Sequence, residues 1–240
     1  LICSSGRKLA RKIADRWHGD YYPLDDARDV GRALIETADG RIVVDVARMR
    51  GDSLDADLRD RDFTLNAMAV CLTGQLDLVY DPLGGLDDLK AKRLRQCSPV
   101  ALADDPIRAL RAVRFSAQFG LRIKPDTRAA VREHAAQLTR PSPERVRDEC
   151  FAILNLPKPA TALRVAASLG LVRPILPLLA DLPDGIWERA LGTTERVSDL
   201  LRTIGPNRTD ETAAQFALGM VVMALDRYRS ELHSHLSETN

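Results

Sequence analysis

The pattern of apolar and polar residues changes near residue 105. Before that point, a first helix predicted over residues 6–17 is followed by short apolar segments of strand length that alternate with turn residues. The apolar face of that helix is predicted to contain Leu9, Ile13 and Trp17. Strands are predicted over residues 21–24, 30–36, 41–47, 63–72 and 76–80, with turns at Asp39-Gly40, Thr73-Gly74 and Asp81-Pro-Leu-Gly-Gly and a short helix capped by Ser53.

From residue 105 onward the spacing of apolar residues is helical. Helices are predicted over residues 106–119, 125–138, 143–154, 161–169, 187–204 and 210–236. The first four begin near Pro, Ser, Asp or Thr, which are residues that favour helix starts. We therefore predict an α+β protein with a mixed α/β head over residues 1–103, a helical neck over residues 104–178 and a helical body segment over residues 179–240.

The composition is typical of a globular protein that is not embedded in a membrane. Hydrophobic residues make up 45% of the chain and charged residues 29%, and no apolar run is long enough to cross a bilayer. The four cysteines are widely spaced without a C-x-x-C pair, which favours reduced thiols over disulfides. No secretory leader is visible, so we expect a cytoplasmic protein without a membrane partner. Because the chain begins with Leu1 and enters a patterned segment at once, we also expect that the N-terminal part of a longer protein is missing.

Positive charge is concentrated in one segment of a nearly neutral chain. The formal net charge is +1, but residues 106–164 contain twelve Arg and Lys against five Asp and Glu, a net charge of +7 for this segment. An excess of arginine on helices suits a polyanionic partner such as a nucleotide or RNA. A solvated helix surface explains the same charge equally well, so this feature alone leaves both interpretations open.

Asp45 lies within the apolar strand predicted over residues 41–47. Valines at positions 43, 44 and 46 would cover both faces of this strand, where a carboxylate is costly unless it is paired with a cation or a metal ion. Asp45 could bind Mg²⁺, or help to activate an attacking hydroxyl, if other carboxylates lie nearby. The alternative is an aspartate at a strand edge that faces solvent.

The segment Arg61-Asp-Phe-Thr-Leu-Asn-Ala places a charged pair directly before an apolar run. Arg61 can bind phosphate, whereas Asp62 and Asn66 can form hydrogen bonds with ribose hydroxyls. The alternative is a surface pair of Arg61 and Asp62, with Asn66 bonded to a neighbouring turn. The pattern by itself favours neither interpretation.

A polar stripe begins at the start of the helix predicted over residues 106–119. Asp105, Arg108 and Arg111 are spaced i, i+3, i+6, and Arg114 extends the stripe around the helix. Cytosine and adenine both present an amino donor beside a ring-nitrogen acceptor, and an Asp acceptor next to an Arg donor matches that edge but not the edge of uracil or guanine. The remaining arginines could then face a triphosphate. The alternative role for Asp105 is that of a helix N-cap.

These segments resemble the ordered motifs of bacterial CCA-adding tRNA nucleotidyltransferases and poly(A) polymerases. The family pattern R-R-D-F-T-x-N-A corresponds to DRDFTLNA at residues 60–67, and D-P-x-G-G-x-x-D-L corresponds to DPLGGLDDL at residues 81–89. The pattern E-D-x-x-R-x-x-R-A-x-R-F corresponds to DDPIRALRAVRF at residues 104–115, and S-x-E-R-x-x-x-E corresponds to SPERVRDE at residues 142–149. The match covers roughly residues 1–178 and implies a nucleotidyltransferase-type head that is only partly present.

The resemblance implies a division of roles among the matching residues. Asp105 and Arg108 would select the incoming base, and Asp62 would contact its sugar. Further contacts with the nucleotide are implied for Arg61, Arg111 and Arg114. Support of the nucleotide pocket from the neck is implied for the helix that carries Glu144, Arg145 and Glu149.

The metal-binding part of the family pattern is represented by a single residue. Asp45 aligns with the third carboxylate of the family, on the strand after the D-x-D pair that binds Mg²⁺. The Gly-Gly loop and the D-x-D pair themselves are not found, so we expect the missing ligands upstream of Leu1. No H…HD signature of a phosphohydrolase domain occurs before Asn240.

The function implied is transfer of a nucleotide to the 3′ end of an RNA. An RNA 3′-hydroxyl would attack the α-phosphate of ATP or CTP and release pyrophosphate, with Mg²⁺ as cofactor. Addition of CCA to tRNA is the favoured activity, and A-only addition, polyadenylation and a non-catalytic RNA-binding role remain alternatives. We expect this chain by itself to be catalytically inactive, and the sequence does not indicate its oligomeric state.

Overall fold

The computed structural model of the chain describes residues 1–74, 76–177 and 183–204, with only the backbone described at 201, 202 and 204. The chain divides into two compact units, one over residues 1–61 and the other from Asp62 onward. Both helices and strands are present, and the α+β class is confirmed. The helix predicted over residues 210–236 lies outside the described residues, and the boundaries of head, neck and body at residues 103 and 178 stay predictions.

The first unit is a four-stranded sheet with a helix packed against it. Its elements are, in chain order, β1 (Ile2–Cys3), α1 (Gly6–Arg16), β2 (Asp20–Asp25), β3 (Val30–Thr37), β4 (Gly40–Arg48) and α2 (Leu54–Arg59). The sheet order is β1-β4-β3-β2, in which β1 pairs in parallel with β4 and the other pairs are antiparallel. Ser53 caps α2 as predicted, because its Oγ accepts a hydrogen bond from the N–H of Ala56 at 3.2 Å.

Helix α1 packs on the sheet through its smallest residues, and the predicted apolar face is wrong in part. Gly6, Ala10 and Ala14 are buried, whereas Trp17 is 57% exposed. The reason is the short distance between helix and sheet: a Cβ placed on Gly31 of β3 would lie 2.9 Å from the Cβ of Ala10. Larger side chains do not fit between backbones that approach this closely.

The second unit begins with a tight turn where the sequence predicted a long strand. Residues 64–66 form a 3₁₀ turn, and the pairing predicted for residues 63–72 and 76–80 is limited to β5 (Ala69–Val70) with β6 (Val79–Tyr80). Tertiary contacts determine this turn. Thr64 is buried, its hydroxyl donates to Asp88 at 2.9 Å, and a Cβ on Gly85 would lie 2.2 Å from the Thr64 carbonyl oxygen.

The predicted turn at residues 81–85 leads directly into a helix that the sequence pattern did not indicate. The carboxylate of Asp81 accepts hydrogen bonds from the N–H groups of Gly85 and Leu86 at 2.7 and 2.9 Å. These bonds satisfy backbone donors at the start of α3 (Gly85–Lys90). Gly84 precedes α3 with φ +71°, a left-handed conformation that favours glycine.

The rest of the described second unit is mainly helical, as predicted, with one short pair of parallel strands and two short helices, Ala101–Asp104 and Val172–Ile175, that the sequence pattern did not indicate. Its elements are β7 (Arg93–Leu94), α4 (Ala101–Asp104), α5 (Arg108–Phe119), β8 (Arg122–Ile123), α6 (Pro125–His134), a 3₁₀ turn (Ala135–Thr139), α7 (Pro143–Leu154), α8 (Pro159–Ser168), α9 (Val172–Ile175) and α10 (Asp184–Ile204). Helix α5 is central: it buries one face and packs against α6, α7 and α8. Within the described ranges, every helix is too short or too polar to span a lipid bilayer.

Candidate nucleotide-binding site

Asp62 is a buried carboxylate at the start of the second unit, and it accepts hydrogen bonds from several neighbouring residues. Its Oδ1 accepts from the N–H of Phe63 at 2.8 Å and from the Nδ2 of Asn66 at 3.1 Å. Its Oδ2 accepts from Nε and Nη2 of Arg111, each at 2.7 Å. Because an ionised carboxylate offers about four acceptor positions, these bonds use its capacity and anchor Arg111. The predicted residues Asp62, Asn66 and Arg111 therefore lie together.

Glu149 of α7 joins two partly buried arginines of α5, Arg111 and Arg114. Its Oε1 lies 3.3 Å from Nη1 of Arg111, and its Oε2 lies 2.7 Å from Nε of Arg114. Burial alone would lower the pKa of Arg111, but the carboxylates of Asp62 and Glu149 raise it above its ordinary value. The four residues form one network of alternating charges that holds both guanidinium groups in place.

The guanidinium groups of Arg111 and Arg114 lie over the aromatic ring of Phe115. The guanidinium carbon of Arg114 lies 4.4 Å from the ring centroid of Phe115, and that of Arg111 lies 5.1 Å away. Phe63 meets the edge of the same ring, with 6.0 Å between ring centroids. The two arginines are thus oriented by carboxylates on one side and by an aromatic face on the other.

Asp105 and Arg108 lie at the junction between α4 and α5. Helix α5 begins at Arg108 with Ile107 as its N-cap, so the alternative of Asp105 as N-cap of this helix is wrong. The Oδ2 of Asp105 instead lies 2.6 Å from Nη2 of Arg145 on α7. Arg108 is buried and donates from Nη1 to the carbonyl oxygen of Ala101 at 3.1 Å. The base-selecting role of both residues stays a prediction.

The three predicted support residues of α7 do not share one environment. Arg145 and Glu149 are four residues apart, on the same face of α7. Arg145 forms an ion pair with Asp105, which precedes α5, and Glu149 forms one with Arg111 of α5. Glu144 is exposed in the first turn of α7, where its own backbone N–H and the Ser142 hydroxyl lower the pKa of its carboxyl. Glu144 thus belongs to the helix start, whereas the other two contact the candidate site.

Arg61 belongs to the first unit and is held by a buried aspartate. Its Nε and Nη2 donate to Oδ2 of Asp57 at 3.1 and 3.0 Å, an i, i+4 pair. Asp57 is 3% exposed, and its Oδ1 also accepts from the N–H of Arg50 at 2.9 Å. Asp57 orients Arg61 within its own unit, and the phosphate-binding role of Arg61 stays a prediction.

Asp45 of β4 is half-exposed and paired with an arginine on the neighbouring strand. Arg32 of β3 lies directly opposite in the sheet and donates from Nε and Nη2 at 2.6 and 2.9 Å. This bidentate bond lowers the pKa of the Asp45 carboxyl. The expectation that both faces of this strand are covered is wrong, since Val43 is 52% exposed. In the part of the chain that the structure describes, His, Cys, Asp and Glu side chains nowhere gather in a group of three that could bind a metal ion.

Asp88 is a site-forming residue that the sequence analysis did not single out. It is 2% exposed and bonds Arg93 and Arg95 at 3.1 and 2.7 Å, in addition to the hydroxyl of Thr64. These bonds hold the 3₁₀ turn that carries Asn66. A signal was present, because Asp88 occupies the second Asp position of the D-P-x-G-G-x-x-D-L pattern, but the pattern does not show which residues Asp88 contacts.

Two family models match this chain. Residues 22–95 match "Poly A polymerase head domain", and residues 120–182 match "Probable RNA and SrmB- binding site of polymerase A". A CC-adding tRNA nucleotidyltransferase of Geobacter sulfurreducens is 37% identical over 210 residues, which are 88% of this chain and 47% of that relative. An A-adding tRNA nucleotidyltransferase of Deinococcus radiodurans is 40% identical over 177 residues, 72% of this chain and 39% of that relative.

A solved structure described as a tRNA-processing enzyme with CTP shares the fold. Its TM-score is 0.76 at 22% sequence identity, and the alignment covers 98% of this chain and 64% of that one. The chain spans less than half the length of the two curated relatives. The matches of sequence and fold extend across both compact units.

Proposed function

Because this chain belongs to the family of bacterial CCA-adding tRNA nucleotidyltransferases and poly(A) polymerases, we propose that the protein adds nucleotides to RNA 3′ ends without a nucleic-acid template. We propose CTP, ATP and a tRNA as the substrates and the cytoplasm as the location of the reaction. The observation that carries the proposal is the network of Asp62, Arg111, Glu149 and Arg114. Two guanidinium groups held rigidly beside one another suit a triphosphate.

In this proposal the arginines of α5 hold the phosphates, and Asp62 acts mainly by positioning Arg111. The carboxylate of Asp62 already accepts bonds from Asn66, from the Phe63 N–H and from Arg111. Contact with a ribose hydroxyl therefore requires that one of these bonds is exchanged. Preorganised guanidinium groups lose little side-chain entropy when a nucleotide binds.

Base selection is assigned to Asp105, with Arg108 at the start of α5 as the second reader. The Asp105 carboxylate is mostly buried and is oriented by Arg145. An oriented acceptor favours the amino groups of cytosine and adenine and disfavours the carbonyl oxygens of uracil and guanine. The proposal therefore predicts selection for C and A as a pair.

We propose Mg²⁺ as the cofactor of the reaction, but the described residues do not form a site for it. Asp45 supplies one carboxylate, and that carboxylate is bonded to Arg32. A magnesium site needs several oxygen ligands. In this proposal, the role of these residues is to bind and select the nucleotide. Because they do not form a magnesium site, we expect no nucleotide incorporation by the 240-residue chain alone.

A-only addition is the second candidate activity. The relatives described as CC-adding and A-adding are similarly close to this chain, at 37% and 40% identity. The Asp105 carboxylate suits both bases and does not distinguish these activities. In the whole protein, incorporation of each nucleotide into tRNA that lacks its CCA end separates them, since incorporation of A but never C excludes CCA addition.

The nucleotide-binding part of the proposal is tested by calorimetric titration of the chain with CTP, ATP, UTP and GTP. We expect CTP and ATP to bind about fivefold or more tightly than the other two, because one matched base edge is worth at least that discrimination. Equal affinity for all four nucleotides, or binding of none, contradicts the proposal and favours a non-catalytic RNA-binding protein.

A further inference from the structure

Helix α1 of the first unit presents a basic surface to solvent. The side of the helix that packs on the sheet buries only small residues. The opposite side is exposed and contains four cations, which are Lys8, Arg11, Lys12 and Arg16. One carboxylate, that of Asp15, lies among them. Together these five exposed residues form the α1 surface, which lies outside residues 22–95 and 120–182, the segments that match the two family models.

The cations of the α1 surface are not paired with carboxylates. Among the residues that the structure describes, the ion pairs of α1 are those of Arg7 with Asp26 and Asp29. These pairs do not involve the α1 surface, so Asp15 does not neutralise its neighbours by direct contact. The ammonium and guanidinium groups of the surface therefore keep N–H donors available for an anionic ligand.

Three of these cations form a row along the helix. Lys8, Lys12 and Arg16 follow one another at intervals of four residues, which places their Cα atoms about 6 Å apart on one side of α1. Like charges at this interval destabilise a helix, and a bound anion removes the repulsion. A linear polyanion can contact the whole row at once through several of its phosphates. The arrangement therefore favours a nucleic-acid backbone over a single small anion.

Aromatic rings accompany two of the arginines. The guanidinium carbon of Arg16 lies 5.6 Å from the ring centroid of Trp17, and that of Arg11 lies 4.7 Å from the ring centroid of Tyr21. Trp17 is 57% exposed, so part of its ring is free to stack on an unpaired base. Cations beside exposed aromatic rings are typical of proteins that bind single-stranded nucleic acid. This feature favours RNA over an acidic protein as the partner.

The α1 surface and Asp45 lie on opposite sides of the sheet. Gly31 of β3 faces Ala10 of α1 and is paired with Val46 of β4. Val46 is buried on the same side, and because side chains alternate along a strand, the neighbouring Asp45 lies on the other side. In the proposed function Asp45 supplies a carboxylate to the reaction, so an RNA that contacts α1 does so through a part away from its reacting 3′ end.

We propose that the α1 surface binds the RNA substrate away from its 3′ end, with Lys8, Lys12 and Arg16 on backbone phosphates and Trp17 stacked on an unpaired base. This inference rests on the proposed function, because it assigns a further contact to the same RNA. The contact belongs to the first unit, whereas the candidate nucleotide-binding residues of α5 belong to the second. Contacts with phosphates carry no sequence information, so this surface binds RNAs of different sequence equally well.

The test compares the chain with Lys8→Gln, Lys12→Gln and the double variant. Fluorescence anisotropy of a labelled tRNA transcript that lacks its CCA end measures their RNA affinity at several salt concentrations. We expect each single variant to bind several-fold more weakly and to reduce the slope of log K against log salt by about one. The double variant should lose about tenfold or more in affinity. Glutamine is a good helix former, so α1 is retained in these variants.

The matched control is Arg59→Gln. Arg59 is an exposed cation of α2 in the same unit, so this variant removes the same charge from a different helix. The inference is supported if RNA affinity falls in the Lys8 and Lys12 variants and not in Arg59→Gln. It is overturned if the α1 variants bind RNA like the unaltered chain, as a surface for an acidic protein predicts. An equal loss in Arg59→Gln also overturns it, because that result indicates an effect of net charge alone.

Calorimetric titration with CTP and ATP separates failure of this inference from failure of the proposed function. The α1 variants should bind both nucleotides like the unaltered chain. If the unaltered chain binds neither nucleotide but its RNA affinity responds to the α1 variants, the proposed function is wrong and the α1 surface is supported as an RNA contact. Absence of RNA binding in the unaltered chain overturns the inference.

The stacking contact is tested with Trp17→Ala and Trp17→Phe on an RNA that has a single-stranded segment. Trp17→Ala should lose about fivefold or more in affinity at an unchanged salt slope, because stacking on a base releases no counterions. Trp17→Phe keeps an aromatic ring and should retain most of the affinity. Unchanged affinity in Trp17→Ala, or an equal loss in both variants, overturns the assignment of Trp17 to a base.

Discussion

Arg145 and Asp105 form an ion pair that joins α7 to the junction of α4 and α5, with 2.6 Å between Nη2 and Oδ2. The Asp105 side chain is 18% exposed and that of Arg145 is 45% exposed, so the carboxylate lies on the inner side of the pair. An aspartate that selects a base by a hydrogen bond must be held in one orientation before the nucleotide arrives. The ion pair supplies that orientation from a different helix.

Substitution of Asp105 tests base selection directly. In Asp105→Ala we expect the affinity for CTP and ATP to fall about fivefold to tenfold, with little change for UTP and GTP, because only the matched base edges lose an acceptor. Titration with all four nucleotides measures this. Asp104→Ala is the matched control, since Asp104 is an exposed neighbour in α4. Equal losses for all four nucleotides in Asp105→Ala would indicate a structural role.

Loss of Arg145 should reduce selectivity more than stability. Arg145→Ala leaves Asp105 without its partner, and we expect the preference for CTP and ATP to fall by about threefold, while the free energy of unfolding changes by less than about 1 kcal/mol because the pair is partly exposed. Arg145→Lys should restore part of the preference, since it keeps the charge but loses the planar donor group.

The control for that variant is Arg147→Ala. Arg147 lies two residues later on α7 and bonds its neighbour Asp148 at 2.8 Å. Nucleotide titrations and urea unfolding should show an unchanged preference in this variant. Identical behaviour of Arg145→Ala and Arg147→Ala contradicts a positioning role for Arg145.

Glu149 should contribute more to stability than any other residue of the support motif. Glu149→Gln weakens the bonds to Arg111 and Arg114 at once and leaves two partly buried cations with reduced compensation. We expect a loss of roughly 2–3 kcal/mol, below the range for a fully buried pair. Urea unfolding measures it, with Glu144→Gln at the exposed start of α7 as the control. Equal unfolding midpoints for the two variants would show that the network does not stabilise the fold.

The thiols of Cys71 and Cys150 should react at very different rates. Burial raises the pKa of Cys150 to about 11, whereas the Thr73 hydroxyl lowers the pKa of the exposed Cys71. Because the thiolate is the reactive form, iodoacetamide at pH 8 should modify Cys71 rapidly and Cys150 only on unfolding. Mass spectrometry of peptides from a time course in native buffer and in urea measures both. Rapid modification of Cys150 in the native chain contradicts its burial in the packed helices.

The sequence pattern was sufficient to predict a helix or strand where that element depends mainly on its own residues. Helix α7 has its predicted bounds because Ser142 caps it and Pro143 suits its first position. Strands β2, β3 and β4 of the first unit were predicted from apolar segments of strand length and turn residues, whereas β1 was not predicted. The resemblance to the family likewise implied that one nucleotide site contains Asp62, Arg111, Arg114 and Glu149.

The sequence pattern gave a wrong prediction where a contact between residues far apart in sequence outweighs the local preference for a strand. The segment at residues 63–72 has the composition of a strand, but the bond from Thr64 to the buried Asp88 holds a 3₁₀ turn there instead. The sequence pattern also did not show that Arg145 is the partner of Asp105 or that Arg32 is the partner of Asp45.

Spacing along the chain thus predicts the longer helices, because hydrogen bonding within a helix is a local effect. The short helix α3 and the buried face of α1 depend on tertiary contacts instead. Spacing does not determine which charged residues form ion pairs with one another. That depends on distances between elements far apart in sequence, which only packing of the core establishes, and so the ion pair of Asp105 and Arg145 could be found only in the folded chain.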